Sequence, residues 1–237
     1  MKLKILHLYP KEMNLYGDRG NILAIKRRCE WRGIDAEVIP YEPGDQFPKT
    51  VDIIFGGGGQ DSGQNKIAED LRSISSNLKI LIEQGVPALV VCGIYQLFGE
   101  YYITHDNQKL QGSGILKLHT ISGRERQIGN IVLESKDFSQ IVGYENHSGL
   151  TYLDDFEQPL GTVLKGFGNN GEDRSEGIIY KNCIGTYLHG PILPKNPKLT
   201  DFLIKTALKN RGLPSDLEKL DNDIEKRARD TASTRPR

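Results

Sequence analysis

Residues 88–99 read Ala88-Leu89-Val90-Val91-Cys92-Gly93-Ile94-Tyr95-Gln96-Leu97-Phe98-Gly99. A short apolar run stops at a cysteine, a glycine follows, and the next residues carry a helical pattern. A buried parallel strand that turns sharply into a helix has this form. In open α/β sheets such turns lie at the carboxyl edge, where ligands bind. The turn also sets the sulfur at a helix N-terminus, whose partial positive charge favours thiolate over thiol. Cys92 is therefore a candidate nucleophile. The competing reading is an inert core cysteine, because free cysteines are among the most buried residues.

Upstream of this stretch, strand and helix patterns alternate. Residues 2–9 form a strand with Leu3, Ile5, Leu6 and Leu8 apolar, stopped by Pro10. Residues 14–21 are a polar loop with two glycines, able to cradle a ligand or simply to join strand to helix. Asp18 or Asn21 caps the helix that follows, which runs to about Arg32 and ends at Gly33. Strands follow at 35–39 and 51–55, the second running into Gly56-Gly57-Gly58-Gly59-Gln60-Asp61. This glycine run lacks the Lys-Ser/Thr ending of a P-loop and the GxGxxG spacing of a dinucleotide fold. It reads either as backbone donors for an oxyanion or as a flexible turn. Ile67, Leu71, Ile74, Leu78 and Leu81 then make one apolar stripe of a single helix, ended by Gly85-Val86-Pro87. The alternation predicts an α/β fold with a central, mostly parallel sheet flanked by helices.

Beyond Gly99 the apolar runs shorten, and glycine, asparagine and aspartate break them. Candidate strands at 114–119, 128–134, 161–165 and 177–180 predict additional antiparallel strands. Lys181-Asn182 turns into a strand at 183–188 that delivers His189-Gly190-Pro191. A helix at 197–210 follows. We divide the chain into a main domain, 1–212, and a charged C-terminal helix or tail, 213–237. Leu217, Leu220, Ile224 and Ala228 give that tail a thin stripe, for a peripheral helix or a partner-docking helix. Residues 231–237 read as disordered.

Composition narrows the function classes. The 237 residues contain 31 Lys+Arg and 31 Asp+Glu, a balance that argues against nucleic acid as the main partner. Three cysteines, with no CxxC or zinc spacing, fit a reducing cytoplasm. No apolar run approaches the ~20 residues that span a bilayer. No metal or cofactor motif is present.

A cysteine nucleophile needs an imidazole beside it. His7 and His119 alternate with apolar residues on strand faces, and His105 lies in a polar turn. His147 lies in Tyr144-Glu145-Asn146-His147-Ser148-Gly149, read as a polar loop. His189 ends an apolar strand, at the kind of edge predicted for Cys92, and ranks first. The N–H of Gly93 and a donor from the 56–59 loop would complete a set for acyl transfer from an amide.

Gly-Gly-Gly-Gln-Asp after one strand, Cys-Gly-x-Tyr-Gln after the next, and Tyr-Leu-His-Gly-Pro-Ile-Leu-Pro near the end resemble class I glutamine amidotransferases of the cobyric-acid-synthase type. Within that branch the chain is similar to glutaminase subunits that work with a MurT-like Mur ligase in cell-wall synthesis. The resemblance covers about residues 1–207. It implies that L-glutamine is hydrolysed at Cys92, with His189 moving the proton. It implies an oxyanion hole from Gly57, Gly58 and Gly93, and substrate contacts from Arg126, Gln96 and Gln60. Arg124 is a rival for the role of Arg126. It further implies that ammonia passes to the ligase in a heterodimer, which amidates D-glutamate in lipid II using ATP, with the complex acting at the cytoplasmic face of the membrane. Three departures set expectations. Pro191 stands where ordinary members have Glu, so the acid for His189 is expected from a partner. Val91 replaces the usual Gly before the nucleophile, which predicts a less strained turn. Ile94 replaces a second Gly, which predicts crowding of the substrate.

Overall fold

In the computed structural model, which describes residues 1–235, the chain folds into two six-stranded sheets flanked by helices. The elements are β1 (Lys2–Leu8), α1 (Arg19–Glu30), β2 (Asp35–Tyr41), β3 (Ile53–Gly56), α2 (Asp61–Ser73), α3 (Ser75–Glu83), β4 (Ala88–Val91) and α4 (Gly93–Phe98). There follow β5 (Tyr101–Ile103), β6 (Lys109–Gln111), β7 (Leu118–Ser135), β8 (Ser139–Leu153), β9 (Gly161–Lys165), β10 (Ser175–Glu176), β11 (Ile178–Tyr180), β12 (Cys183–Thr186), α5 (Pro197–Asn210) and α6 (Asp223–Thr234). The first sheet has the order β11-β12-β4-β3-β1-β2. All its pairings are parallel except β11 with β12. Every residue of β3, β4 and β12 is buried, as expected of strands covered on both faces. The carboxyl ends of β1, β3, β4 and β12 lie along one edge. From that edge spring the 9–18 loop, the glycine run, Cys92 and the segment to His189.

The second sheet is largely antiparallel and is built on the long hairpin of β7 and β8, with a bulge between Ser122 and Gln127. The sequence reading found the two ends of β7, at 114–119 and 128–134, without joining them, and took part of β8 for a loop. On β8 the buried positions include Glu145, His147, Gly149 and Thr151, so a period-2 strand carries polar groups inward. Hydropathy cannot see such a strand. Backbone bonds between Tyr144 and His189, 2.7 and 3.2 Å, stitch this hairpin to the first sheet's edge. Glu176 of β10 ties the layers again, accepting from Thr186 Oγ1 at 2.7 Å and Tyr187 N–H at 2.8 Å.

Two helix expectations need correction. The single stripe from Ile67 to Leu81 belongs to two helices, because Ile74 (φ −95°, ψ 1°) breaks the ladder between α2 and α3 while keeping the apolar face in phase. Residues 231–234, expected to be disordered, complete α6; residues 236–237 lie outside the described part. The α6 segment is fastened to the chain's own body. The guanidinium of buried Arg28 on α1 bonds both oxygens of Asp201 at 2.8 Å, and also Asn222 and Glu225. Burial opposes ionisation of Asp201, but Arg28 and Arg32 hold its carboxyl below the usual range. No described helix is long and apolar enough to cross a membrane.

Candidate active site

Cys92 follows β4 directly and has φ 48° and ψ −104°, a conformation rare for a residue with a side chain. The turn is therefore a strained elbow even with Val91 before it. The Cys92 N–H bonds the Thr186 carbonyl at 2.9 Å, which fixes the elbow to β12. Ile94 does not line the cleft. Its fully buried side chain packs under Gly56, so the expected crowding of substrate does not occur. Cys29 and Cys183 are buried too, but burial, the largest cause for both, pushes their thiols up to about 12, and they pack in the core.

His189 and Cys92 meet at Gly58. A Cβ on that glycine would lie 2.5 Å from His189 Cε1 and 3.1 Å from Cys92 Cβ, so no other residue fits between nucleophile and base. The far side of the imidazole corrects another expectation. Nδ1–H lies 3.2 Å from both oxygens of Asp18, a fully buried carboxylate from the loop after β1. The acid is thus present in this chain, supplied from a different position than Pro191. Burial opposes charge on His189, but Cys92 and Asp18 outweigh it and raise its pKa to about 10. The imidazole therefore holds its proton at neutral pH. Tyr16 (φ 53°) sets its ring edge-on to His189, with centroids 5.0 Å apart.

Asp18 also accepts the Gly58 N–H at 2.7 Å. That donor is committed, so Gly58 cannot serve an oxyanion. Gly57 does not line the cleft, and its carbonyl accepts the Ile94 N–H at 3.4 Å. Gly59 does line it. A Cβ on Gly93 would lie 3.0 Å from the Gly59 nitrogen, and neither N–H has a backbone acceptor among the described residues.

The cleft encloses about 470 Å³, and Cys92, His189, Gly59, Gln60 and Arg126 all border it. Arg126 reaches in from β7. Its Nε donates to Asn146 Oδ1 at 2.6 Å and Nη2 to the Tyr16 hydroxyl at 3.1 Å. Arg124 does not border the cleft. Gln96 does, but its amide is engaged, donating to Tyr187 Oη at 3.0 Å and accepting from Gln64 at 2.7 Å. Gln60 stands at the mouth, just before α2. His147 also borders the cleft, although the sequence reading ranked it behind His189. Asp18, Tyr16, Asn146 and Gly59 were not singled out as site residues. The one available signal for Asp18 was position, since its loop leaves β1 at the same sheet edge as Cys92.

An elbow cysteine, an imidazole with its carboxylate, backbone donors and a guanidinium in one cleft are the groups that cysteine-dependent acyl transfer needs, here set on a doubly wound sheet. Solved structures bear out the fold alone: PurLQS from Thermotoga maritima superposes with TM-score 0.59 at 16% identity, covering 86% of this chain and 98% of that one. A crystal structure of a glutamine amidotransferase gives 0.60 at 14%, covering 85% and 98%. The model of CobB/CobQ-like glutamine amidotransferase domains matches residues 4–197, and the chain belongs to that family. It is 45% identical over 229 residues to subunit GatD of the glutamine-hydrolysing lipid II isoglutaminyl synthase of Staphylococcus aureus, covering 96% of this chain and 93% of the relative. The same subunit of Streptococcus pneumoniae is 41% identical over 213 residues, covering 89% and 82%.

Proposed function

We propose that this chain is the glutaminase subunit of a lipid II isoglutaminyl synthase. The observation that carries the reading is the convergence of Cys92, His189 and Arg126 on one cleft in a chain so similar to such subunits. Arg126 holds the α-carboxylate of L-glutamine, since its planar fork suits a carboxylate. Cys92 Sγ attacks the side-chain carboxamide carbon, and the N–H groups of Gly59 and Gly93 receive the oxyanion. The C–N bond breaks as His189 gives its proton to the nitrogen, which leaves as ammonia. Water then loses a proton to His189 and adds to the thioester, the C–S bond breaks, and glutamate leaves. Asp18 keeps the imidazole in the productive orientation throughout. Gln60 and the neighbours of Gln96 shape the mouth and floor of the cleft.

The chain carries no P-loop. Activation of the acceptor carboxyl by ATP belongs to a MurT-like Mur ligase partner, joined in a heterodimer at the cytoplasmic face of the membrane. That partner uses the ammonia to amidate D-glutamate in lipid II. The test is co-purification with a Mur-ligase-like protein, followed by ammonia release from glutamine with and without it. The isolated chain should hydrolyse glutamine on its own His189–Asp18 pair, the partner should raise the rate, and Cys92→Ser should abolish both. Ammonia release that survives Cys92→Ser would overturn the reading. An alternative Cys-dependent amide hydrolase of the same fold would turn over another amide in preference to glutamine.

A further inference from the structure

Tyr16 stands in the cleft between the proposed base and the proposed substrate clamp, and core packing does not account for it. This large aromatic residue is 41% exposed, and its φ of 53° lies in the left-handed region that side chains seldom adopt. Such strain persists where the surroundings impose it, and it gathers at functional sites. Both flanks of Tyr16 are pinned. The Leu15 N–H bonds the Gly58 carbonyl at 3.0 Å, and the Arg19 N–H bonds Asn14 Oδ1 at 2.8 Å. The loop after β1 is thereby tied to the glycine run, with Tyr16 bordering the cleft.

The side chain makes two contacts, one with each half of the site. Its ring meets the His189 imidazole edge-on, with centroids 5.0 Å apart. Its hydroxyl accepts from Arg126 Nη2 at 3.1 Å. Arg126 is exposed and carried on a long stem, so ordering it has an entropic cost. Asn146 holds Nε from within the hairpin, at 2.6 Å, and Tyr16 holds Nη2 from the parallel-sheet edge. Nη1 has no hydrogen-bond partner among the described residues and is free to meet a carboxylate.

Resting on the glutaminase reading, we infer that Tyr16 is a positioning residue that sets the substrate clamp relative to the base. Its hydroxyl presets Arg126 for the α-carboxylate of glutamine, and its ring holds the plane of His189. The span between the carboxylate site and the reacting end is thereby fixed before glutamine arrives. Preorganisation of this kind cuts the ordering cost of binding, and a displacement of about 1 Å is enough to spoil a reactive alignment. Two halves of one side chain therefore act on different kinetic constants.

The experiment measures ammonia release from L-glutamine, with the partner ligase present. It compares wild type, Tyr16→Phe, Tyr16→Leu, Arg126→Ala and the double variant Tyr16→Phe with Arg126→Ala. Phe removes the hydroxyl and keeps the ring. It should raise KM about 3- to 10-fold and leave kcat within about 2-fold. Leu removes the ring as well. It should show the same rise in KM and lose about 10-fold in kcat, a loss that Phe in its place does not incur. In the Arg126→Ala background, adding Tyr16→Phe should leave KM within about 2-fold, since the hydroxyl acts through that guanidinium. A full multiplicative rise in the double variant would overturn the inference, because a hydroxyl that touches the substrate directly or serves only its own loop predicts it. So would a wild-type KM for Tyr16→Phe, or a wild-type kcat for Tyr16→Leu. Should Tyr16→Leu fail to fold, the cycle of Tyr16→Phe and Arg126→Ala decides by itself. A wild-type protein that releases no ammonia from glutamine would instead refute the glutaminase reading, and this inference with it.

Discussion

The parallel sheet and the β7–β8 hairpin contribute to the cleft in different ways. In the proposed mechanism the sheet edge supplies the groups of bond making: Cys92 after β4, His189 after β12, Asp18 after β1 and Gly59 after β3. The hairpin brings Arg126 on β7, and Asn146 and His147 on β8, to the cleft wall, with Arg126 the proposed substrate contact. The sheet groups sit at the ends of strands buried on both faces, whereas Arg126 lies on a half-open surface. On the proposed chemistry, reactivity is thus mounted on the parallel sheet and recognition on the hairpin. The lesson is a division of kinetic labour, with sheet-edge variants expected to act on kcat and hairpin variants on KM.

The largest expected effects test the sheet side. His189→Ala should lower kcat for glutamine about 10³- to 10⁴-fold, and Asp18→Asn about 10²- to 10³-fold, each with little change in KM. In wild type the imidazolium persists until pH approaches 10. Replacing Asp18 removes one of the two charges that raise this pKa, so the alkaline limb of the kcat profile should move toward neutrality. An Asp18→Asn protein with wild-type kcat and an unmoved limb would return the acid to the partner and break the comparison. On the hairpin side, Arg126→Ala should raise KM about 10- to 100-fold and leave kcat within a few-fold. Equal losses in kcat would show that recognition and reactivity are not separable.

The smallest effect probes the junction between the two layers. Glu176 is fully buried, and burial raises its pKa from 4.5 to about 7 against the hydrogen bonds that favour its anion. A carboxyl raised on folding stabilises most below its unfolded value and loses that contribution as pH rises through about 7. Glu176→Gln removes this loss. Relative to wild type its stability should increase between pH 5 and pH 8, by at most about 2–3 kcal/mol. Urea melts across that range give the sign, and a flat difference would show that the junction does not titrate.

The same two regions differ in how far their sequences disclose them. Val90 and Val91 ahead of Cys92, and Ile184 ahead of His189, are apolar because both faces of their strands are covered, so position and role are readable together. Gly58 was readable as a necessary glycine but not as one whose N–H is already taken. β8 was hidden because its inward residues are polar: His147 borders the cleft, while Glu145 accepts from the Phe167 and Gly168 N–H groups and Thr151 bonds Thr120 and Tyr187. Asp18 was hidden because its partner stands 171 residues away, and no local spacing carries a contact of that range. Ile94 misled in the other direction, since a family glycine position says nothing about which side of the elbow a larger residue will choose.

Val91 lies directly across from Thr186 in the pairing of β4 with β12. Neighbouring side chains on a strand point to opposite faces, so a slip of one residue would send the Cys92 sulfur to the wrong side of the sheet. The alignment of nucleophile and base is therefore a by-product of strand pairing and needs no adjustment when substrate arrives. The reacting pair is assembled once, during folding, like two teeth cut on the same gear. What the proposed turnover still requires is delivery of a ligand to the hairpin wall and an exit for the ammonia.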